Sequence, residues 1–276
     1  MDKKNEYGLL DLHTHEIKML SDVLSAFDAM NIKYYAIAGT CLGAERHHGF
    51  IPWDDDIDLG VERNDFERLI DRLQGEIGHQ YDVRQYSIDQ TFEDIVLKVF
   101  DDRITLIDES TNSSIETHAW IDIFPIDKMP DNIFLKEFHY LHMMFWRAIV
   151  AASLINTKVD VHRKRNPFII FVLKTMMLFH TDKLINSYKS MRRLDNVMKK
   201  YRYKEFKTRI NFLGAYRKRE IYDMDVFGEG RKVCFDGIPI IIPEKTDKYL
   251  KQMYGDWKSL PEEKDRNHHH SKVVLK

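Results

Sequence analysis

The sequence predicts a mixed α/β (α+β) fold in which a β-sheet is flanked by helices and followed by a largely helical middle section. Two observations support this prediction. Short apolar runs bounded by glycine or proline alternate with helical apolar spacing in the first half of the chain. An almost wholly helical pattern follows, before β character returns near the C-terminus. With 276 residues, of which 43% are hydrophobic, the chain can bury a sizeable core.

The N-terminal part opens with a helix over residues 15–30, where apolar residues recur every three to four positions. The apolar run 34–38 predicts a buried strand that ends at Gly39, and alternating residues predict another strand over 57–61. Apolar spacing predicts a helix over 66–73. Further strands, antiparallel because their connections are short, are predicted at 81–87, 94–100 and 104–107.

The rest of the chain divides into a helical stretch and a tail that returns to β structure. Helical spacing dominates from 133 to 201, whereas 233–235 and 238–242 predict strands and 246–254 predicts a final helix. Three segments are therefore predicted: a catalytic core at 1–130, a helical subdomain with an acceptor or membrane face at 131–225, and a C-terminal segment at 226–276 that packs back on the core.

The formal net charge of −2 conceals a basic block at 189–219, where 12 Lys and Arg residues accompany only Asp195 and Glu205. Such a block predicts an anionic neighbour, such as lipid head groups or a pyrophosphate-linked acceptor. Nucleic acid is not predicted, because no recognition motif accompanies the charge. Just before the block, Pro167–Phe179 is too short to span a bilayer. It predicts either a buried helix or an interfacial helix that lies on the membrane.

The N-terminus is polar, and the two cysteines, Cys41 and Cys234, fit neither a disulfide framework nor a zinc site. These features predict a cytoplasmic, reducing location. Cys41 is interpreted as a packed small residue. His268–His270 are interpreted as a tag remnant or a polar end.

The strongest chemical signal is the acidic cluster within Asp54–Asp58, where four carboxylates fall within five residues. Such carboxylates repel one another, so the folded chain needs a cation to hold them together. Asp56 and Asp58 are the preferred ligands, because alternate residues of a strand point to the same face. Hard oxygen ligands favour Mg²⁺, with Mn²⁺ as the alternative. The competing interpretation is a solvated acidic turn. The apolar residues Pro52 and Trp53, which directly precede the cluster, disfavour it.

Asp122 lies between two isoleucines in a predicted central strand, 118–127, that is expected to end at Pro125. A lone carboxylate in a buried strand is costly unless it is paired or bound to a metal. Asp122 is therefore a candidate metal ligand. A salt bridge or an edge position remains the alternative.

Residues that suit a phosphate surround the acidic cluster. Gly39-Thr40 and Gly43 predict a turn that offers backbone N–H groups and a hydroxyl, and Arg46-His47 offer positive charge. Arg46-His47 could instead pair with the neighbouring acids. Lys98 is a further candidate for substrate contact, although lysines on strands usually face solvent. Together these residues predict a metal-dependent enzyme that acts on a phosphorylated, nucleotide-activated substrate.

These motifs resemble the LicD family of phosphotransferases, whose distant relatives include fukutin and the fukutin-related protein. The resemblance rests on the residues Gly39–Gly43, Arg46-His47, Ile51–Asp58, Trp120–Asp127, Ile242-Pro243, Tyr249-Leu250, Tyr254–Trp257 and Leu260-Pro261. The block that ends at Asp58 is highly specific in length and order. Residues 130–225 carry little of the resemblance.

The resemblance implies a nucleotidyltransferase-like mixed sheet with Asp56, Asp58 and Asp122 as catalytic and metal-binding carboxylates. It implies transfer of phosphocholine, or of a polyol phosphate such as glycerol or ribitol phosphate, from a CDP-linked donor to a glycan, with release of CMP. Asp122 is also expected to take the proton from the attacking hydroxyl. The donor-binding residues are expected to be Gly39, Thr40, Gly43, Arg46, His47 and Lys98.

The acceptor is expected to be a surface glycan or its lipid-linked precursor, such as a teichoic acid precursor. The apolar segment and the basic block predict peripheral contact with an anionic membrane through 163–219, at the inner face of the plasma membrane. Two other hypotheses remain open. One is a nucleotide-sugar glycosyltransferase, which also uses paired aspartates to hold a metal on a diphosphate. The other is a membrane-surface binding protein without enzymatic activity.

Overall fold

The computed structural model describes residues 9–108, 115–155, 175, 177–178, 180–262, 266 and 271–274. The helices in this part of the chain are α1 (Leu10–Met30), α2 (Ala38–Arg46), α3 (Arg63–Ile77), α4 (Ile133–Ser153), α5 (Thr181–Leu184), α6 (Ser187–Met198), α7 (Met224–Phe227) and α8 (Thr246–Tyr254). The strands are β1 (Tyr34–Ala36), β2 (Ile57–Glu62), β3 (Asp82–Arg84), β4 (Leu97–Asp108), β5 (Ile115–Met129), β6 (Thr208–Ile210), β7 (Ile221–Asp223), β8 (Arg231–Phe235), β9 (Ile238–Ile242) and β10 (Ser271–Val274).

One mixed sheet organises the described part of the chain, which confirms the predicted α/β class. Its central strand order is β1-β2-β5-β4-β10, while β3 pairs with β4, and β6 joins β5 to β7. The pair β2 and β5 is parallel, whereas the other pairs of this sheet are antiparallel. β8 and β9 form a separate antiparallel hairpin. The parallel pair at the centre of the sheet aligns the two acidic motifs described below.

Strand β5 is longer than the sequence predicted, because it continues through Pro125. Its pairing with β4 extends to Ile123, and its pairing with β6 begins at Asp127. Pro125 lies between these two stretches, where β2 is the neighbour that the described residues provide. The missing N–H of proline is tolerated because neither of the two antiparallel ladders includes this position. The prediction that the strand ends at Pro125 was therefore wrong.

Strand β4 joins two segments, 94–100 and 104–107, that the sequence predicted as separate strands. A register shift between Asp101 and Thr105 interrupts its pairing with β5. The Asp101 carboxylate accepts hydrogen bonds from the backbone and the guanidinium of Arg103 at the irregularity. A bulge of this kind bends a strand without ending it, so the ladder resumes on the far side.

The main hydrophobic core lies between the sheet and its flanking helices. α1 and α3 pack against each other and against β5. In α1 the fully buried side chains Leu12, Leu20, Val23 and Phe27 recur at helical spacing, which confirms the amphipathic pattern, although the helix begins at Leu10 rather than near residue 15. The strands β1, β8 and β9 and the helix α8 also form close to where the sequence predicted them.

A second, smaller core lies beneath α4 and α6. Its buried side chains include Met143 of α4, Leu194 of α6 and Phe212 of the following loop. The helices α4 and α6 agree with the helical pattern predicted for residues 133–201 where that stretch is described, and β6 and β7 add two short strands to the predicted helical segment 131–225.

Arg63 of α3 links the two cores through buried ion pairs. Its guanidinium donates two hydrogen bonds of 2.7 Å to Asp127 of β5 and one of 2.8 Å to Asp195 of α6. The Arg63 side chain is only 2% exposed. A buried charge is stable only when it is paired and hydrogen-bonded, and here the pairing joins three separate elements.

The hairpin β8–β9 holds the loop that leads into the acidic cluster. Its two-residue turn, Asp236-Gly237, has positive φ at both positions, as a type I′ turn requires. The Asp236 carboxylate accepts a hydrogen bond from the N–H of Phe50 at 2.9 Å, and the Asp236 N–H donates to the carbonyl of His48 at 2.9 Å. The position of loop 47–56 is therefore fixed by residues far along the chain.

Helix α4 exposes an apolar stripe at i, i+4, i+7 and i+11. The exposed fractions are 81% for Phe134, 70% for Phe138, 62% for Leu141 and 58% for Phe145. Within the described residues, no helix has both the length and the apolar character required to cross a membrane. Most of the predicted Pro167–Phe179 helix lies outside the described residues, as does the tract of three histidines near the C-terminus.

Candidate active site

Three carboxylates converge at the centre of the sheet. Asp58 of β2 and Asp122 of β5 are register partners in the parallel pair, and Asp56 immediately precedes β2. One carboxylate oxygen from each of the three residues lies within 4.8 Å of the others. This spacing suits oxygen ligands that share one divalent cation. Asp54, Asp55 and Asp56 form a second group with the same spacing.

Lys98 lies beside Asp122 on the neighbouring strand of the sheet. It lies on β4 as the register partner of Asp122, so three adjacent strands present Asp58, Asp122 and Lys98 side by side. The Lys98 ammonium donates a short hydrogen bond to one oxygen of Asp122, and the Trp120 indole N–H donates to the other at 3.2 Å. Asp122 is therefore both salt-bridged and close to the two aspartates of the acidic cluster, so the two interpretations of this residue are compatible.

The site concentrates negative charge in a region of low exposure. Burial raises the pKa of Asp58 well above its usual value, and the Asp56 and Asp122 carboxylates add to the shift. Burial also raises the pKa of Asp122 to about 6, where Asp56 adds to the effect and Lys98 opposes it. Burial alone would lower the pKa of Lys98, but Asp122 and Asp94 outweigh it, and the lysine stays charged.

Glu16 of α1 adds a carboxylate that sequence reasoning missed. Its side chain is fully buried, and neither of its oxygens accepts a hydrogen bond from any residue that the structure describes. Burial raises its pKa well above the usual value, and the charges of Asp56, Asp55 and Asp54 act in the same direction. A buried carboxylate without hydrogen-bond donors beside an acidic loop is what a cation in this region would compensate. The signal that could have found it is its position four residues after Leu12 and four before Leu20, which places a carboxylate on the apolar face of α1.

The predicted glycine turn is a helix. Gly39 and Gly43 lie inside α2, and the residue with positive φ is Ala38. The two glycines instead allow α2 to approach the neighbouring loop closely. A Cβ atom on Gly39 would lie 2.3 Å from Oδ2 of Asp54, and one on Gly43 would lie 2.5 Å from the carbonyl oxygen of Gly49. α2 can therefore pack directly against the loop that carries the acidic cluster.

Replacing Gly39 by alanine is expected to displace Asp54 and lower activity by at least about tenfold, because a shift of about 1 Å at a catalytic site has effects of this size or larger. Gly75→Ala provides the matched control. Gly75 lies in α3, and a methyl group added there would have no atom within 4 Å, so the change should stabilise the fold by about 0.5–1 kcal/mol. Steady-state kinetics and urea unfolding of both variants test this. Full activity in Gly39→Ala would contradict the close approach to Asp54.

Thr40, Arg46 and His47, which were also predicted to bind the donor, make contacts with the protein itself. The Thr40 hydroxyl is buried and accepts a hydrogen bond of 2.8 Å from the backbone N–H of Asp58, so it holds β2 in place. Arg46 lines the cleft but donates at 2.9 Å to the carbonyl of Trp257. Burial, with help from Arg46, lowers the pKa of His47 to about 4, so this side chain is neutral at physiological pH.

A cleft of about 1120 Å³ opens above the carboxylates. One wall contains α2, the acidic cluster and Asp122. The rest of the lining comes from α4, the loop after β6 and the C-terminal segment, through Arg147, Asn211, Tyr216, Arg217, Glu220, Tyr254 and Trp257. Sequence reasoning did not single out most of these residues as functional, although Tyr254–Trp257 belonged to the resemblance. The cleft combines carboxylates whose spacing suits a cation with Arg46, Arg147 and Arg217, an arrangement suited to a ligand with more than one phosphate.

Comparison with known proteins agrees with this geometry. Residues 31–152 match the family described as LicD/FKTN/FKRP, nucleotidyltransferase domain, a range that contains the three carboxylates and Lys98. Lipopolysaccharide cholinephosphotransferase LicD of Haemophilus influenzae is 27% identical over 271 residues, which cover 90% of this chain and 92% of that protein. Ribitol 5-phosphate transferase FKRP of Homo sapiens and of Mus musculus is 32% identical over 71 residues, 26% of this chain and 14% of those proteins. The carboxylates of the cleft therefore lie inside a LicD-family domain at residues 31–152, and the similarity to LicD extends over most of the chain.

Proposed function

We propose that this protein is a metal-dependent phosphotransferase that uses a CDP-linked donor. It moves phosphocholine, or a related alcohol phosphate such as glycerol or ribitol phosphate, to a hydroxyl of a cell-surface glycan or its lipid-linked precursor, and it releases CMP. The observation that carries the proposal is the alignment of Asp58, Asp122 and Lys98 on three adjacent strands at the floor of the cleft. The names of the relatives, a cholinephosphotransferase and a ribitol 5-phosphate transferase, support the class of group transferred.

In this proposal Asp56, Asp58 and Asp122 hold Mg²⁺ or Mn²⁺, which when bound neutralises charge on the donor diphosphate and on the departing CMP. Lys98 keeps Asp122 in position and adds a fixed positive charge at the floor of the cleft. Asp122 accepts the proton of the acceptor hydroxyl as the general base. The acceptor oxygen forms the new P–O bond as the bond between phosphorus and the CMP oxygen breaks.

A donor panel tests the proposal. CDP-choline, CDP-ethanolamine, CDP-glycerol and CDP-ribitol are incubated with the protein, Mg²⁺ and a membrane glycolipid extract, and CMP is measured. CMP from one donor identifies the alcohol, and the Asp122→Asn variant serves as the inactive control. If no donor yields CMP while a parallel panel of nucleotide sugars yields UDP, the glycosyltransferase hypothesis replaces the proposal.

The basic block and the apolar stripe on α4 support a position at an anionic membrane. Acidic residues neutralise part of the block: Lys199, Arg202, Arg209 and Lys218 lie within salt-bridge distance of Glu67, Glu62 or Glu137. Lys189, Arg192 and Arg193 remain exposed on α6, which packs beside α4. Aromatic side chains beside basic ones are typical of helices that lie in the membrane interface.

Reversing the charge of Lys189, Arg192 and Arg193 together is expected to weaken binding to vesicles that contain phosphatidylglycerol by at least about tenfold, since each basic residue near such a surface contributes about 1 kcal/mol. Co-sedimentation measures the effect, with phosphatidylcholine vesicles as the control. Phe134→Ser combined with Phe138→Ser should weaken binding to both kinds of vesicle. Unchanged sedimentation of both variants would contradict the proposed contact with an anionic membrane.

A further inference from the structure

Two arginines that line the cleft form no salt bridge with the carboxylates of the described residues. Within the part of the chain that the structure describes, neither Arg147 nor Arg217 forms a salt bridge, although both line the same cleft as the acidic cluster. Arg46, the other arginine of the cleft, donates to backbone carbonyls. An unpaired guanidinium in a concave site is a ready partner for a phosphate, which it can bind with two parallel hydrogen bonds.

Arg147 is held in place by neutral contacts. It projects from α4, donates one hydrogen bond of 2.7 Å to the carbonyl oxygen of Phe212, and stacks over the Phe212 ring at 5.5 Å. Burial lowers its pKa to about 10, and the charge of Arg217 acts in the same direction. The remaining N–H groups of the guanidinium are not used by any described residue.

Arg217 is held by the backbone of the loop after β6. Its φ of 59° lies in the left-handed region, an uncommon conformation for a residue with a long side chain. The loop folds around the buried Glu220 carboxylate, which accepts a hydrogen bond of 2.8 Å from the N–H of Tyr216. Burial raises the pKa of Glu220 to about 7, so this carboxylate neutralises the arginines only in part at neutral pH. Backbone strain of this kind is maintained when surrounding structure fixes a side chain in place.

We propose that Arg147 and Arg217 form an anion subsite that binds a phosphate group of the acceptor. The subsite rests on the proposed function, since it assigns the floor of the cleft to the donor diphosphate. The position of Arg217 supports the acceptor as the source of the phosphate. The carboxylates, Lys98 and Arg147 lie in the matched domain at 31–152, whereas Arg217 and the loop that carries it lie outside it.

Binding of inorganic pyrophosphate in EDTA tests the subsite without metal, donor or turnover. Without a divalent cation the carboxylates repel the anion, so calorimetry reports on basic residues. Arg147→Gln and Arg217→Gln are each expected to weaken pyrophosphate binding by at least about tenfold. Arg192→Gln, at an exposed position outside the cleft, and Asp58→Asn should not weaken it. Because Arg217 is exposed, its variant tests the proposal even if Arg147→Gln fails to fold.

Two further arms separate the sources of the phosphate. Glucose 1-phosphate in EDTA serves as the acceptor-like probe, and CDP with Mn²⁺ serves as the donor-like probe. The expected result is weaker binding of glucose 1-phosphate in both variants, with CDP affinity within about twofold of wild type. Equal losses for CDP would assign the arginines to the donor and overturn the acceptor assignment. Absence of pyrophosphate binding by the wild type in EDTA would overturn the subsite itself, whatever the donor panel shows.

Discussion

Replacing Asp58 by asparagine is expected to lower kcat by about 10³-fold or more while the fold persists, because one charged ligand of a shared cation is lost. The substitution keeps the shape of the side chain and leaves the hydrogen bond from the Asp58 N–H to Thr40 in place. Asp71→Asn, at an exposed position on α3, is the matched control and should behave as wild type. Turnover is measured by CMP release, and the fold by circular dichroism. Near-normal turnover in Asp58→Asn would remove Asp58 from the metal site.

The same variant should be more stable than wild type when no metal is present. Burial and the neighbouring carboxylates raise the pKa of Asp58 and Asp122 in the folded state. A raised folded pKa means that the protonated form is favoured by folding, so stability is greatest at low pH. The contribution of Asp122 to stability should be lost as the pH rises from about 4, the pKa in the unfolded chain, through about 6, the pKa in the folded protein.

Thermal unfolding in EDTA at pH 5 and pH 8 measures this dependence. Wild type is expected to unfold at a lower temperature at pH 8, and Asp58→Asn should reduce the difference. Added Mn²⁺ should stabilise wild type at pH 8, since a ligand that binds only the folded state shifts the equilibrium towards it. A wild-type protein that is equally stable at both pH values in EDTA would show that the carboxylates do not repel one another as described.

The second large effect concerns stability. Replacing Arg63 by methionine is expected to lower the free energy of unfolding by about 3–5 kcal/mol, since Asp127 would be left buried without its cation and Asp195 would keep only the cation of Lys199. The control is Arg72→Met, an exposed position of the same helix, which should change stability by no more than about 0.5 kcal/mol. Urea unfolding measures both variants. A double variant in which Asp127 is also made neutral should recover part of the loss, and failure to do so would show that the ion pairs are not the cause.

Much of the fold could be predicted because its signals are local. The alternation around Asp58 and the helical spacing before Met30 depend on neighbouring residues alone. The pairing of Asp58 with Asp122 could not be predicted from spacing, because the register of two strands 64 residues apart is set by the whole sheet. Lys98 was therefore only a weak candidate, although the structure places it against Asp122.

Gly39 and Gly43 were identified correctly as important residues, but the predicted reason, a turn, was wrong. Glycine permits both unusual φ values and close packing, and the sequence does not distinguish the two. Gly39 and Gly43 serve the second purpose, since helix α2 presses against the acidic loop. Arg147 was missed because it lies in a stretch without a recognisable motif, and Arg217 was noted only as part of the basic block 189–219. The folding of α4 and the later loop brings the two arginines to one cleft.

The turn at Asp236-Gly237 has a consequence for the order in which the protein matures. It fixes Phe50, which lies 186 residues earlier in the sequence and leads directly into the acidic cluster. During synthesis the strands that carry the carboxylates leave the ribosome long before the hairpin that positions their loop. The polypeptide therefore emerges with its candidate catalytic side chains present but not yet arranged, and competence for the proposed reaction is expected to be among the last properties that a nascent chain acquires.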